Sequence, residues 1–559
     1  MKVEENTRWS RWSGMSRRRF LQTGATAGVG AAGFALVGCG DDDDDDDENG
    51  GNTPSAGETP DQGQPKVGGR LQELNTSEPD QYDPHRDAGY PGLIVMSAVY
   101  NGLLRTRNPI GEDFVIEGDL AEDLPEQPDD TTYVYRLRDG IKWQNVDPTN
   151  GRAMTSEDIA KNFDRMQTDK PDYVLRPMFS MIDSIDTPDD VTIRVNLKEP
   201  YGQFAVNTAD IWAKVIPPEL YDGDQSKVHP VGSGPFIFES AQQGVGQTLN
   251  KNPEYFRNGQ PYVDGIDFLI VSDQAVRAAS FQSGELDTMI GAATPIMEQL
   301  KSDYSDGHYD LRVGVMNPFM INNSIAPFDN PLVRRAIYHA IDPELIINLQ
   351  FQGLALKGQP LPAWLSRYNL AEDEIPAYDP AEAKRLLEAA GMPDGFKFVN
   401  RTFQGGTGAF GTLQVQQSLA EVGIEMENQE MEWADWRANV YGIKGDFEVT
   451  MGGEFDYISP DRQLYNAFYS EGSANNRHVD DPDLDKLLID ARRELDETAQ
   501  VEKYKATAKY LVDNAVSVWL PQGQGYVATQ PWVKGWFWQY SAGALFERNF
   551  MDEVWLDRE

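Results

Sequence analysis

The chain has 559 residues, 90 acidic against 49 basic, for a formal charge of −41, and one cysteine. A surface this negative repels phosphate backbones and offers no basic stripe for counterion release, which disfavours nucleic-acid binding, while 40 % hydrophobic residues with 24 Phe, 23 Tyr and 12 Trp exclude a disordered chain. One cysteine forms no intramolecular disulfide and no Cys-rich metal site, and the five histidines never fall at helical ligand spacing, which argues against a histidine-rich metal centre; no metal and no cofactor are among the expectations.

Ser16-Arg17-Arg18-Arg19-Phe20-Leu21 opens an uncharged, Gly- and Ala-rich stretch that ends in Leu36-Val37-Gly38-Cys39. The layout resembles a twin-arginine export signal closing on a lipobox. Residues 1–38 are then a signal peptide and Cys39 carries the lipid that holds the exported protein to the outer face of the cell membrane, or in the periplasm. The stretch is short and its glycines weaken a bilayer span, which argues against a transmembrane anchor. Residues 39–65, with seven aspartates from Asp41 to Asp47, bury no face and read as a disordered acidic tether, with a cation-binding acidic tail as the alternative. At about 3.3 Å per residue the 26 residues from Gly40 to Pro65 reach at most roughly 85 Å.

The body, residues 66–559, alternates strand and helix signals. Thr132 to Leu137 and Val191 to Leu197 alternate with period two and predict half-buried strands. Thr155 caps a helix to Met166, with Glu157 and Asp158 in its first turn. Asn330-Pro331 opens a helix to Ala340, and Asp342-Pro343 caps the next. Asp379-Pro380 starts another, with Glu382 expected to complete a capping box and Gly391 to supply the exit. A long helical pattern runs from Asp483 to about Asn514.

Several segments, in order, resemble the extracellular solute-binding proteins of the peptide and nickel type (family 5), receptor components of ATP-binding-cassette importers. They are Tyr82-Asp83-Pro84, Val99 to Leu103, Arg138 to Trp143, Thr155 to Ile159, Gly232-Ser233-Gly234-Pro235-Phe236, Phe281 to Asp287, Pro327 to Asp342 and Tyr378 to Gly391. The resemblance implies an α/β, three-lobed periplasmic-binding-protein-like fold, type II and cluster C-like, with a ligand cleft between lobes that close by a hinge. It places lobe I at about 67–103, 205–285 and 522–559, lobe II at about 104–204 and lobe III at about 286–521. Expected partners are an oligopeptide or similar small solute and the permease subunits of the importer, and the expected state is a monomer without enzymatic activity.

The resemblance also assigns roles. Asp456, in Gly453-Glu454-Phe455-Asp456, matches the aspartate that captures the α-ammonium of a bound peptide, and the backbone of Gly453, Glu454 and Phe455 is placed to pair with an extended ligand. Trp433 matches a pocket-lining tryptophan, and Glu78 matches a lobe I loop facing the peptide. Dipeptide-selective relatives carry a third-lobe arginine for the peptide carboxylate. The nearest here, Arg401, is displaced, so longer peptides, an oligosaccharide or a nickel chelate stay open as ligands. The alternative from another class is a secreted glycoside hydrolase with a carboxylate pair, although the sequence marks no such pair, no Gly-x-Ser-x-Gly elbow and no His-Glu-x-x-His.

Overall fold

The first strand, Arg70–Asn75, lies parallel to Gly265–Ile270, and Gly246–Lys251 and Phe236–Gln242 extend the sheet antiparallel. The computed structural model describes residues 64–86, 89–107, 115–170, 173, 175–222, 224–403, 411–442, 444–452, 457–536 and 550–558. The export signal, Cys39, the acidic tether up to residue 63 and residues 453–456 lie outside them. Arg70 staples the sheet, donating to Asp267 at 2.8 and 3.0 Å and to Asn250 at 2.9 Å. Helix Tyr90–Val99 packs nearby. From Leu93 to Val99 every hydrophobic residue is buried, so this helix is apolar on all sides rather than amphipathic.

A three-stranded antiparallel sheet follows, in the order Thr132–Arg136, Thr192–Leu197, Ile182–Asp186. Helix Ser156–Met166 covers it, with Thr155 and Asp158 forming a reciprocal capping box. Phe163, Phe179, Phe204 and Tyr133 meet ring to ring at 5.0 to 6.2 Å in the core between helix and sheet.

The third unit is a five-stranded sheet in the order Glu425–Met431, Lys397–Phe403, Val449–Met451, Pro318–Ile321, Ser517–Trp519. Its first three strands run parallel and its last two pair antiparallel. Helices Pro331–Ala340, Pro343–Gln350 and Pro380–Ala389 start on the expected caps. Asn330 accepts from Leu332 N at 3.0 Å, Asp342 from Glu344 N at 2.9 Å, and Asp379 from Glu382 N at 2.9 Å. Gly391, at φ +81°, leaves the last of these through the left-handed region. Beyond Trp519 the chain enters strand Gln522–Thr529, which pairs with His308–Val313, Thr288–Met289 and Ala355–Leu356 in a separate sheet.

Two expectations need correction. Glu382 does not close a capping box, because both its oxygens take the Arg385 guanidinium at 2.7 Å. The run from Asp483 to Asn514 is two helices, Pro482–Arg492 and Glu497–Asp513. Glu494 accepts from the backbone N–H of Leu495 and Asp496, and Asp496 then caps Ala499 N at 3.0 Å, so side chains replace the helical bonds at the break.

At the far end of the chain, Asp552 is buried between Arg105 and Arg257, at 3.6 and 3.7 Å. The Phe550 ring lies 3.9 and 3.7 Å from the guanidinium carbons of Arg105 and Arg107. Lys66 meets Asp557 at 2.7 Å, and Arg558 bonds to Arg70 O at 3.3 Å and Asp287 at 2.9 Å, so the two ends of the body share one corner. No helix among the described residues is long and apolar enough to cross a membrane.

Candidate functional site

The parallel strands Glu425–Met431, Lys397–Phe403 and Val449–Met451 all finish at the same edge of the five-stranded sheet. Ligand clefts in α/β proteins form outside the carboxyl ends of parallel strands, where loops diverge and backbone groups are free to face a guest. Trp433, Gly452 and the segment 453–456 all follow directly from these ends. Polar side chains hold the edge in register: Asn400 Nδ2 donates to Asn428 Oδ1 at 3.0 Å, Asn400 Oδ1 accepts from Met451 N at 3.0 Å, and Thr402 Oγ1 donates to Met451 O at 2.9 Å.

An aromatic stack stands on that edge. Trp433 begins the short helix Trp433–Trp436, is 48 % exposed, and stacks on Trp436 at 5.4 Å and 24°. Phe403 meets Trp433 edge-on at 4.8 Å and Trp436 at 4.7 Å, while Tyr441 closes the stack at 5.1 Å from Trp436. Trp436 is fully buried, and its indole N–H donates to Thr450 Oγ1 at 3.0 Å, so the inner ring is fixed and the outer ring is presented. A π-helical turn, Arg437–Tyr441, follows at once, a local irregularity common near functional sites. Gly452 is pressed against the stack. A Cβ there would lie 2.9 Å from Trp436 and 3.1 Å from Phe403, so only glycine lets the backbone at 452 come this close to the rings.

On the other side of 453–456, Ser459 caps helix Pro460–Phe468. Tyr457 lies under the Arg462 guanidinium at 3.9 Å, with the Trp212 ring 6.4 Å away, and Arg462 is paired with Asp210 at 2.9 Å. Asp461 is held by Arg492 at 2.9 and 2.7 Å, by Tyr201 OH at 2.8 Å and by Tyr504 OH at 3.3 Å. Burial and the Asp461 charge push the Tyr201 hydroxyl far above its ordinary range, so it stays a proton donor. Residues 201–212 and 457–504 are thereby bolted together through buried charges.

Of the residues expected from sequence, Trp433 sits on this edge. Asp456, Gly453, Glu454 and Phe455 lie outside the described residues, bracketed by Gly452 and Tyr457, and Cys39 lies outside as well. Glu78 is exposed in the loop that follows strand Arg70–Asn75, where its carboxylate accepts from Gly244 N at 3.0 Å. The structure does not bring it to the Trp433 cluster. Arg401 is occupied: Nη1 donates to Asp446 O at 2.6 Å and pairs with the Asp446 carboxylate at 3.0 Å. Phe403, Trp436, Tyr457 and Arg462 were not singled out from sequence. The three-residue spacing of Trp433 and Trp436 is the signal that marks two rings on one helical face. Among the described residues no group of three or more His, Cys, Asp or Glu side chains is arranged to hold a metal ion.

Comparison with known proteins agrees with this architecture. The family model for bacterial extracellular solute-binding proteins, family 5 (middle), matches residues 115–476. The glutathione-binding protein GsiB of Pectobacterium atrosepticum is 30 % identical over 447 residues, covering 76 % of this chain and 82 % of the relative. GsiB of Escherichia coli O157:H7 is 29 % identical over 466 residues, covering 78 % and 86 %. Among solved structures, the periplasmic binding protein DppA from Helicobacter pylori with the peptide STSA superposes with a TM-score of 0.74 at 25 % identity, covering 88 % of this chain and 99 % of that one. The oligopeptide-binding protein AppA from Bacillus subtilis with a nonapeptide shares the fold, with a TM-score of 0.72 at 20 % identity over 89 % and 100 %. The fold is that of the type II periplasmic binding proteins.

Proposed function

Because the chain belongs to family 5 of the bacterial extracellular solute-binding proteins, the non-enzymatic binding components of ATP-binding-cassette importers, we propose that it captures oligopeptides in an interlobe cleft and delivers them to the permease. The observation that carries the reading is Trp433, a half-exposed ring backed by a fixed stack at the carboxyl ends of three parallel strands. Asp456 follows that edge in sequence and supplies the carboxylate for the ligand's α-ammonium. Such a pair is strong when the cleft closes and water leaves. The backbone of Gly453 to Phe455 adds affinity that ignores side-chain identity, and Glu78 faces the ligand from lobe I. With this reading go the lobe limits given above, a monomeric receptor, and a lipid on Cys39 that holds the body to the membrane.

Glutathione in the names of the GsiB relatives and the peptide STSA in the H. pylori complex favour a peptidic ligand over a sugar or nickel chelate. The displacement of Arg401 from the position of the carboxylate-binding arginine in dipeptide-selective relatives favours peptides longer than two residues, whose carboxylate needs no fixed partner. The glycosidase alternative does not fit a family of binding components. The test is a thermal-shift screen of residues 66–559 against di- to octapeptides, oligosaccharides and nickel, because a ligand of the folded state raises the melting temperature by mass action. Shifts with tri- and longer peptides are expected. A shift only with a sugar or metal would discard the peptide assignment.

A further inference from the structure

Two cavities adjoin at Lys357, the larger beside strand Ser517–Trp519, the edge of the five-stranded sheet opposite the strand that leads to Trp433, and the smaller beside Ala355–Leu356 and Gln522. The larger holds about 830 Å³ and the smaller about 490 Å³, the size of small-molecule sites. Val518, Trp519 and Leu520 give the larger one an apolar wall. Gly358 bears down on the same strand. A Cβ there would lie 2.2 Å from Trp519 O and 2.3 Å from Leu520 O, so the loop carrying Lys357 reaches this position only without a side chain at 358.

Glu344, Lys357, Glu372 and Ile375 line both cavities and form the partition between them. Lys357 is ion-paired with Glu372 and lies 4.0 Å from Glu344. Both carboxylates are well exposed, and an exposed pair of this kind is weak enough to exchange its cation. Asp342, Asp373 and Asp513 add negative charge to the larger cavity, against Arg335 and Lys357. Tyr338, 6 % exposed, also lines it, and its hydroxyl is buried with no hydrogen-bond partner. A buried polar group left unpaired is costly.

We infer that this double cavity is a second ligand site, separate from the Trp433 edge, for an organic ammonium with an apolar body such as an alkylamine or polyamine. The ammonium replaces the Lys357 amine between Glu344 and Glu372, while the hydrocarbon lies along Trp519 and Leu520. The inference rests on the cavity alone and is independent of the peptide reading.

The test uses the full-length chain with spermidine and n-hexylamine as probes and hexanoate as the control, read by calorimetry. Saturable amine binding is expected, with none for hexanoate. The pair Glu344→Gln and Glu372→Gln should weaken it roughly tenfold or more, the scale of one lost charge-assisted contact. Lys357→Met should strengthen it, a gain that misfolding cannot produce. Asp456→Asn should leave it unchanged. Absent or non-saturable binding, affinity indifferent to the three cavity substitutions, or binding lost in Asp456→Asn would each overturn the inference.

Discussion

Arg462 donates to Asp210 at 2.9 Å across a sequence separation of 252 residues, with both side chains buried and the guanidinium covering the Tyr457 ring. Neither charge has water to fall back on. Removing one member of such a pair leaves the other desolvated and uncompensated. Asp210→Asn should therefore lower the unfolding free energy by about 3 kcal/mol in urea titrations. A loss under about 1 kcal/mol would mean that the pair is hydrated in solution.

Trp433 and Trp436 belong to one stack but should separate cleanly on truncation. Trp436→Ala empties a fully buried position and should cost about 3 to 5 kcal/mol. Trp433→Ala removes a half-exposed ring, so its cost should be nearer 1 kcal/mol, with the main loss falling on ligand affinity. Denaturation and calorimetry on the same two variants read both effects, and equal stability losses would deny Trp433 its presented role.

Asp456→Ala should weaken free-amine peptides while leaving N-acetylated versions of the same peptides unaffected. The difference between the two ligand forms is the informative quantity, since it cancels any general change in the cleft. If the variant keeps the wild-type preference for free amines, the α-ammonium is captured elsewhere.

Asp552 gives the protein a pH signature. Burial raises its carboxyl to about 6, a rise that Arg105 and Arg257 only partly oppose. In the unfolded chain the group titrates near 3.9. A raised folded value means the native state holds the proton more tightly. The associated stability is fully present below about pH 4 and is lost as pH rises through 6. Asp552→Asn should remove this dependence, so that the stability difference between variant and wild type changes by up to about 3 kcal/mol between pH 4 and 7. A constant difference across that range would show that Asp552 is ionised throughout.

Cys39→Ser tests the anchor directly. Cell fractionation should find the variant released from membranes, whereas retention would point to residues 21–38 as an uncleaved anchor.

Local chemistry was the legible part of this fold. Asn330, Asp342 and Asp379 cap their helices as read because the acceptor and the N–H groups it serves lie two or three residues apart. The helix break at Glu494 to Asp496 was missed because hydrophobic periodicity continues across it, while the side chains that end one helix and start the next are polar. Long-range pairing was out of reach. Nothing local in Asp461 points to Tyr201, Arg492 and Tyr504, and nothing in Arg401 points to Asp446. At the candidate site, sequence pointed to the outer ring, Trp433, but not to Trp436 and Phe403. Phe403 differs from any other core aromatic only by what it stands behind, and Trp436 only by its three-residue spacing from Trp433.

The corner where Lys66 meets Asp557 and Arg558 meets Arg70 has a topological consequence. The body is nearly a closed loop of chain, so a short peptide joining these ends would circularise it without crossing either face. New ends could then be cut at an exposed turn such as Gly353, next to the strand Ala355–Leu356, turning the receptor into a permuted scaffold for a reporter.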